Sequence, residues 1–283
     1  MSKARSLGWM PGAALPVVAA MSVAAAMSAA AMPARAGDLS GLVVGDFAYT
    51  RVPQVKPQAL PNIDTDQYTF KVKGLYTFDD PGFGVQLEGQ DNFYFGKKFE
   101  LAHLWSAGGS IFFRDNKGTI GASFSYASVD APAPPLFAGK DSVESYGAFG
   151  EYYVLKSLTL QAKVGGTTGA VGEASVYGGV GLVWYDSPDF AVHTELNFTS
   201  YTSANNWTNV KAWGEYLPFN SIPVSLYMGY DFVNISGLGY TRMSTFLGGL
   251  KFHFGEGYTL RDYQRTGPLE WTANSEPGAN LKF

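Results

Sequence analysis

Period-two alternation of apolar and polar residues fills the chain from about residue 40 to residue 254, and no segment shows a convincing helical period. Successive side chains of a strand point to opposite faces, so such a chain has to form sheet, each strand carrying one apolar and one polar face. In 158–168, Leu158, Leu160, Ala162 and Val164 alternate with Thr159, Gln161 and Lys163. In 190–202, Phe190, Val192, Leu196 and Phe198 alternate with His193, Glu195 and Asn197. In 222–233, Val224, Leu226, Met228, Tyr230 and Phe232 alternate with Ser225, Tyr227 and Asp231. Twelve strands are predicted, at 40–50, 67–78, 83–94, 99–114, 119–130, 143–154, 158–168, 174–185, 190–202, 208–217, 222–233 and 242–254. A misread long segment such as 99–114 would make the count ten or fourteen.

The connections constrain topology. Asp79-Asp80-Pro81-Gly82, Asp115-Asn116-Lys117-Gly118, Leu155-Lys156-Ser157, Asp186-Ser187-Pro188-Asp189 and Pro218-Phe219-Asn220-Ser221 read as tight turns. Pro presets φ there, Gly accepts φ > 0, and Asp and Asn cap the turn locally. Between them lie longer or irregular links. Arg51–Asp66 holds three prolines, Ala131–Asp141 holds Pro132, Pro134 and Pro135, and Asn234–Thr241 is Gly-rich. Tight turns alternating with loops are what an up-and-down antiparallel barrel produces, whereas Greek-key sandwiches do not alternate so regularly.

Alternation alone does not choose between a soluble barrel and a transmembrane one. Three features favour polar faces inside. The polar faces carry many ionisable groups, the apolar faces are long and nearly free of charge, and aromatics gather at strand ends. On the turn side these are Phe78, Phe83, Tyr153, Trp184, Tyr185, Phe190, Tyr216 and Phe219; on the loop side they include Tyr49, Tyr68, Tyr94, Tyr146, Tyr201, Trp207 and Tyr240. Aromatics make up 15% of the chain, and 34 glycines suit strands that curve and crowd.

The N-terminus reads as a leader. Lys3 and Arg5 precede an Ala-rich apolar stretch, and Ala34-Arg35-Ala36 has the small-x-small form of a cleavage site, so residues 1–36 are expected to be removed. Their loss takes the formal charge from −4 to −7, because Lys3, Arg5 and Arg35 go and no Asp or Glu does. That balance argues against nucleic acid. There is no cysteine, hence no lipid-anchor site or disulfide; a closed barrel needs neither. No further apolar run is long enough for a transmembrane helix.

In the last strand, Ser244-Thr245-Phe246-Leu247-Gly248-Gly249-Leu250-Lys251-Phe252-His253-Phe254, the side chains of Phe246, Leu250, Phe252 and Phe254 share one face. This segment resembles the C-terminal strand that the barrel-assembly machinery of Gram-negative bacteria recognises. With the leader, turns and aromatic ends, the chain from 37 to 254 resembles the outer-membrane β-barrel superfamily, in particular its porin-like members. The resemblance implies an all-β transmembrane barrel in the outer-membrane bilayer, with short periplasmic turns and longer extracellular loops. It also implies contact with the assembly machinery through 244–254. In one respect the chain departs from the family: residues 255–283 follow the terminal aromatic. With Pro268 and Pro277 and no alternation, they do not read as another strand. They form either a loosely ordered periplasmic tail or a segment that folds across the mouth with Arg261, Asp262, Tyr263, Arg265 and Trp271.

If the polar faces point inward, the candidate pore lining contains Lys71, Lys73, Lys163, Lys211 and Lys251 against Glu88, Glu151, Glu195, Glu215 and Asp231. Gln86, Gln90, Gln161, Asn197, His193 and His253 lie between them. Equal numbers of each sign predict weak ion selectivity and small polar solutes; a strongly selective pore would show one dominant sign. Two readings stay open: a passive diffusion channel, or a non-conducting structural, adhesion or exopolysaccharide-associated barrel whose charges pair off inside. An enzyme is not expected. None of the histidines has the His-x-Ser spacing of outer-membrane lipases, and three histidines on different strands do not make a metal site. No cofactor is expected, and oligomeric state is not legible. The Pro-rich 131–141 connection is the candidate for an inward constriction.

Overall fold

The computed structural model describes residues 38–271, apart from 53–62, 79–81, 97–101, 132–138, 170–173, 203–205, 220, 237–240, 256 and 258. The expected leader, 131–141 constriction and last residues of the tail therefore lie largely or wholly outside the described residues.

Twelve antiparallel strands form one closed barrel. They are β1 (Asp38–Val52), β2 (Ile63–Thr77), β3 (Phe83–Gly96), β4 (Ala102–Arg114), β5 (Gly118–Ala131) and β6 (Gly139–Leu155), followed by β7 (Leu158–Gly169), β8 (Ser175–Ser187), β9 (Phe190–Tyr201), β10 (Asn206–Tyr216), β11 (Val224–Ser236) and β12 (Thr241–Phe254). Each strand pairs with its sequence neighbours, and β1 pairs with β12 from Gly41↔Phe254 to Arg51↔Ser244. Closure removes every sheet edge and satisfies the backbone within the wall, as hydrocarbon requires. A short helix, α1 (Leu260–Thr266), follows β12.

The expected fold class and strand count hold. The predicted strands fall short mainly at their loop ends: β6 starts at Gly139 and β11 runs to Ser236. Pairing continues there past the point where outward residues must be apolar, so the hydrophobic pattern fades before the ladder does. The turns use the expected chemistry. Asp115 Oδ1 accepts from the backbone N–H groups of Lys117 at 2.7 Å and Gly118 at 3.0 Å. Gly82 has φ +79°, and a Cβ on it would stand 2.1 Å from the Arg114 carbonyl oxygen. The link 217–223 is longer than the tight turn expected at Pro218–Ser221, and its first residue, Leu217, buries against α1.

The two faces decide the environment. Outward-facing Leu87, Ile120 and Met228 are 69, 68 and 75% exposed, while inward-facing Lys73, Gln86 and Glu215 are at most 2% exposed. A soluble barrel would have this reversed; the apolar outer wall belongs in lipid. Aromatic rings meet on that wall near both ends. Phe78 and Phe83 lie 5.6 Å apart on the turn side, and Phe47 and Tyr68 lie 5.2 Å apart on the loop side. Five of the expected end aromatics turn inward instead. Tyr94, Tyr153, Tyr185 and Trp207 border the lumen, and Tyr201 is buried against Trp207 at 5.6 Å. Their parity gives the reason: Tyr153 shares a face with Glu151, and Tyr201 shares one with Asn197.

Candidate functional site

The lumen holds a cavity of about 320 Å³ that runs from Thr50, Thr65 and Trp207 near the loop end to Tyr153 and Tyr185 near the turn end. Eight of the eleven candidate lining residues border it: Lys71, Lys73, Glu151, His193, Glu195, Lys211, Asp231 and Lys251. The other three do not. Glu88 pairs with Lys73 at 3.0 Å, Lys163 stands 4.7 Å from the Trp271 ring centre, and Glu215 is fully buried. The chain after β12 explains the covering of Lys163 and Glu215.

That chain turns back into the barrel. Thr259 caps α1, its Oγ1 accepting from the Asp262 N–H at 3.2 Å, and the Gly267 N–H closes the last turn on the Tyr263 carbonyl at 2.9 Å. The helix has two faces. Leu260 and Tyr263 pack with Val183, Tyr185, Ala191 and Leu217. Gln264 Nε2 donates to Glu215 at 3.1 Å and lies 3.2 Å from His193 Nε2. Arg265 donates to the Leu155 carbonyl at 2.8 Å and to Thr159 at 3.1 Å, with its guanidinium over the rings of Tyr153 and Tyr185. Beyond the helix, Leu269 inserts among Leu75, Phe112 and Phe149. Its N–H donates to Gln86 Oε1 at 2.7 Å, and its carbonyl accepts from Lys73 Nζ at 2.7 Å. Residues 259–271 thus pack against the inner wall at the turn end.

Glu215 anchors this end. It accepts from Lys251 Nζ at 2.5 Å and from Ser225 Oγ at 2.5 Å, besides Gln264. Lys251 also pairs with Glu270 from the segment itself. A buried carboxylate needs this many donors, since desolvation of an unpaired charge costs several kcal/mol, on the order of its attraction to a partner. Ser225 Oγ lies 3.0 Å from His253 Nε2, but His253 stacks on Tyr263 at 4.8 Å. This Ser–His–Glu cluster therefore sits beneath α1, away from the cavity wall, where a solute does not reach it. Among the described residues no group of three His, Cys, Asp or Glu side chains could hold a metal.

Higher in the lumen, cross-strand register sets charges opposite one another. Lys211 faces Glu195 on β9 and Asp231 on β11. Its ammonium also stands 5.0 Å from the Trp213 ring centre, and Trp213 stacks on His193 at 4.4 Å with the planes 8° apart. Gly229 lies opposite Trp213, where a Cβ would approach Trp213 Cβ to 2.4 Å. Sequence reasoning missed the lumen aromatics Trp213 and Tyr94 and the apolar wall of Leu42, Val44, Ala48 and Leu247. Parity with Lys211 and Asp46 would have placed Trp213 and the β1 residues inside.

The closed ring with its polar interior, apolar outer wall and end aromatics settles the architecture. The fold is that of an outer-membrane β-barrel. An outer-membrane channel from Pseudomonas putida F1 superposes with a TM-score of 0.57 at 9% identity, covering 79% of this chain and 97% of that one. A KdgM porin matches with a TM-score of 0.46 at 13% identity over 75% of this chain and 99% of its own. At 9% identity the likeness to the Pseudomonas putida channel is one of fold. No protein-family model matches the sequence, and no curated protein does.

Proposed function

We propose that this barrel is an outer-membrane channel for the passive diffusion of small polar solutes, with segment 259–271 narrowing its periplasmic mouth. The observation that carries the reading is the cavity of about 320 Å³ running along the lumen, walled by Lys71, Glu151, Glu195, Lys211 and Asp231. Such a wall offers donors and acceptors to a polar solute, and it requires no catalytic group or cofactor. In this reading residues 1–36 are the export signal, and strand β12 is the element read by the assembly machinery.

Planar-bilayer recording of the refolded chain lacking residues 1–36 tests the proposal. Steps of reproducible size, with swelling of liposomes in small sugars, are expected. Silence from protein that runs as a folded barrel would overturn it in favour of a non-conducting barrel.

A further inference from the structure

The polar groups around the cavity are not equally engaged. Asp46 accepts from the Tyr227 hydroxyl at 2.7 Å, Glu151 from Gln161 at 2.8 Å, and Glu195 from Asn197 at 3.4 Å. Asp231 accepts from Asn209. Lys73 is held by Glu88 and the Leu269 carbonyl, Lys251 by Glu215 and Glu270, and Arg265 by Leu155 and Thr159. Lys211 also has a partner. Lys71 borders the same cavity, and among the described residues its ammonium makes no hydrogen bond or ion pair. It carries three donors, and the carboxylates of Asp46 and Glu88 act on its charge without a hydrogen bond to it.

Lys71 sits between Gln90 on β3 and an apolar residue of β1. Val44 is its partner across the β1–β2 ladder, and beyond Asp46 the apolar residues Ala48, Leu247, Met243 and Val233 line the same cavity, with Thr245 and Asp231 among them. Ala48 faces Leu247 across the joint between β1 and β12. A water-filled pore for fully polar solutes gains nothing from this wall, whereas a solute with an apolar body is desolvated by it. A single disengaged cation favours one negative charge, and the carboxylates of Asp46, Asp231 and Glu195 around the same space oppose a second. The cavity volume suits a small organic molecule.

We infer that the lumen binds small monocarboxylates with a compact saturated body, Lys71 taking the carboxylate and the β1–β12 wall taking the body. This deepens the channel reading and rests on it: the channel is then selective by chemistry, not merely by size.

Isothermal titration of the full refolded barrel in detergent micelles tests this with cyclohexanecarboxylate, the neutral cyclohexanecarboxamide and acetate as probes. Cyclohexanecarboxylate is expected to bind about tenfold or more tightly than the carboxamide, the margin of a charge-assisted contact. Lys71→Met should remove that margin, and Lys71→Arg should restore most of it. Leu247→Asn should weaken cyclohexanecarboxylate and leave acetate unaffected. Equal affinity for carboxylate and carboxamide, or undiminished carboxylate binding by Lys71→Met, would overturn the inference. Calorimetry needs no current. A silent barrel that binds the carboxylate refutes the channel reading alone, and a conducting barrel that does not bind it refutes this inference alone.

Discussion

Leu269→Ala isolates what holds the C-terminal segment in the barrel. Leu269 is 1% exposed among Leu75, Phe112 and Phe149. Its main chain is bonded to Gln86 and Lys73, and those bonds survive truncation of the side chain. Removing a buried leucine to alanine costs about 2–5 kcal/mol. The twelve-strand ladder does not depend on Leu269, so the loss falls on the docking of residues 259–271. At about 3 kcal/mol, the undocked fraction rises roughly a hundredfold, since 1.4 kcal/mol is a factor of ten. Trypsin reads that fraction. Arg265 is bound to Leu155 and Thr159, and the Arg261 N–H donates to the Pro188 carbonyl at 3.0 Å, so both cleavage sites are protected while docked. When opening and closing are fast relative to cleavage, the cleavage rate tracks the open population. Cleavage after Arg261 and Arg265 is expected to accelerate by about two orders of magnitude, while the barrel keeps its folded mobility on unboiled gels. A cleavage rate that stays at the wild-type level would refute the assignment of docking energy to this side chain. So would acceleration accompanied by loss of the folded band.

Other outcomes follow from the same geometry. Ending the chain at Gly257 removes α1, Leu269, Glu270 and Trp271 from the lumen, and single-channel conductance should rise; an unchanged step size would show that this segment does not narrow the pore. Val164→Arg places a charge on the outer wall at a position 58% exposed and should destabilise the refolded barrel in lipid by about 2–4 kcal/mol, whereas the inward Gln90→Arg should be tolerated; urea titration measures both. Gly229→Val forces atoms into Trp213 and should cost about 1–3 kcal/mol and perturb the near-ultraviolet circular dichroism of the Trp213–His193 stack.

The barrel was legible because lipid imposes a rule on every second residue. Leu158, Leu160, Ala162 and Val164 announce β7 and its outer face without knowledge of any partner strand. Strand ends were less legible, since the rule lapses outside the bilayer while hydrogen bonding continues to Gly139 and Ser236. The inside obeys no comparable rule. Val44, Ala48 and Leu247 line the lumen although they are apolar, and Trp213 lines it beside Lys211; a search for polar residues passes over them. Tyr94 and Trp207 sit near strand ends, where position suggested an interface, yet their parity turns them inward. The docking of residues 259–271 had the faintest trace. Its receptor is built from Gln86, Arg114, Thr159, Glu215 and Lys251 on five strands, and no local pattern in the chain records a surface assembled from such distant parts.

The joint between β1 and β12 brings the first and last strands of the ring together. The C-terminal segment grips both sides of that seam. It holds Lys73, Gln86 and Arg114 on β2, β3 and β4, and His193, Glu215 and Lys251 on β9, β10 and β12. These grips exist together only after the two ends of the sheet have met. The segment therefore acts as a staple: its full set of contacts requires the closed ring, and it ties together strands on either side of the β1–β12 joint. A chain that ended at Phe254 would close the same ring and leave its seam held by one ladder of hydrogen bonds.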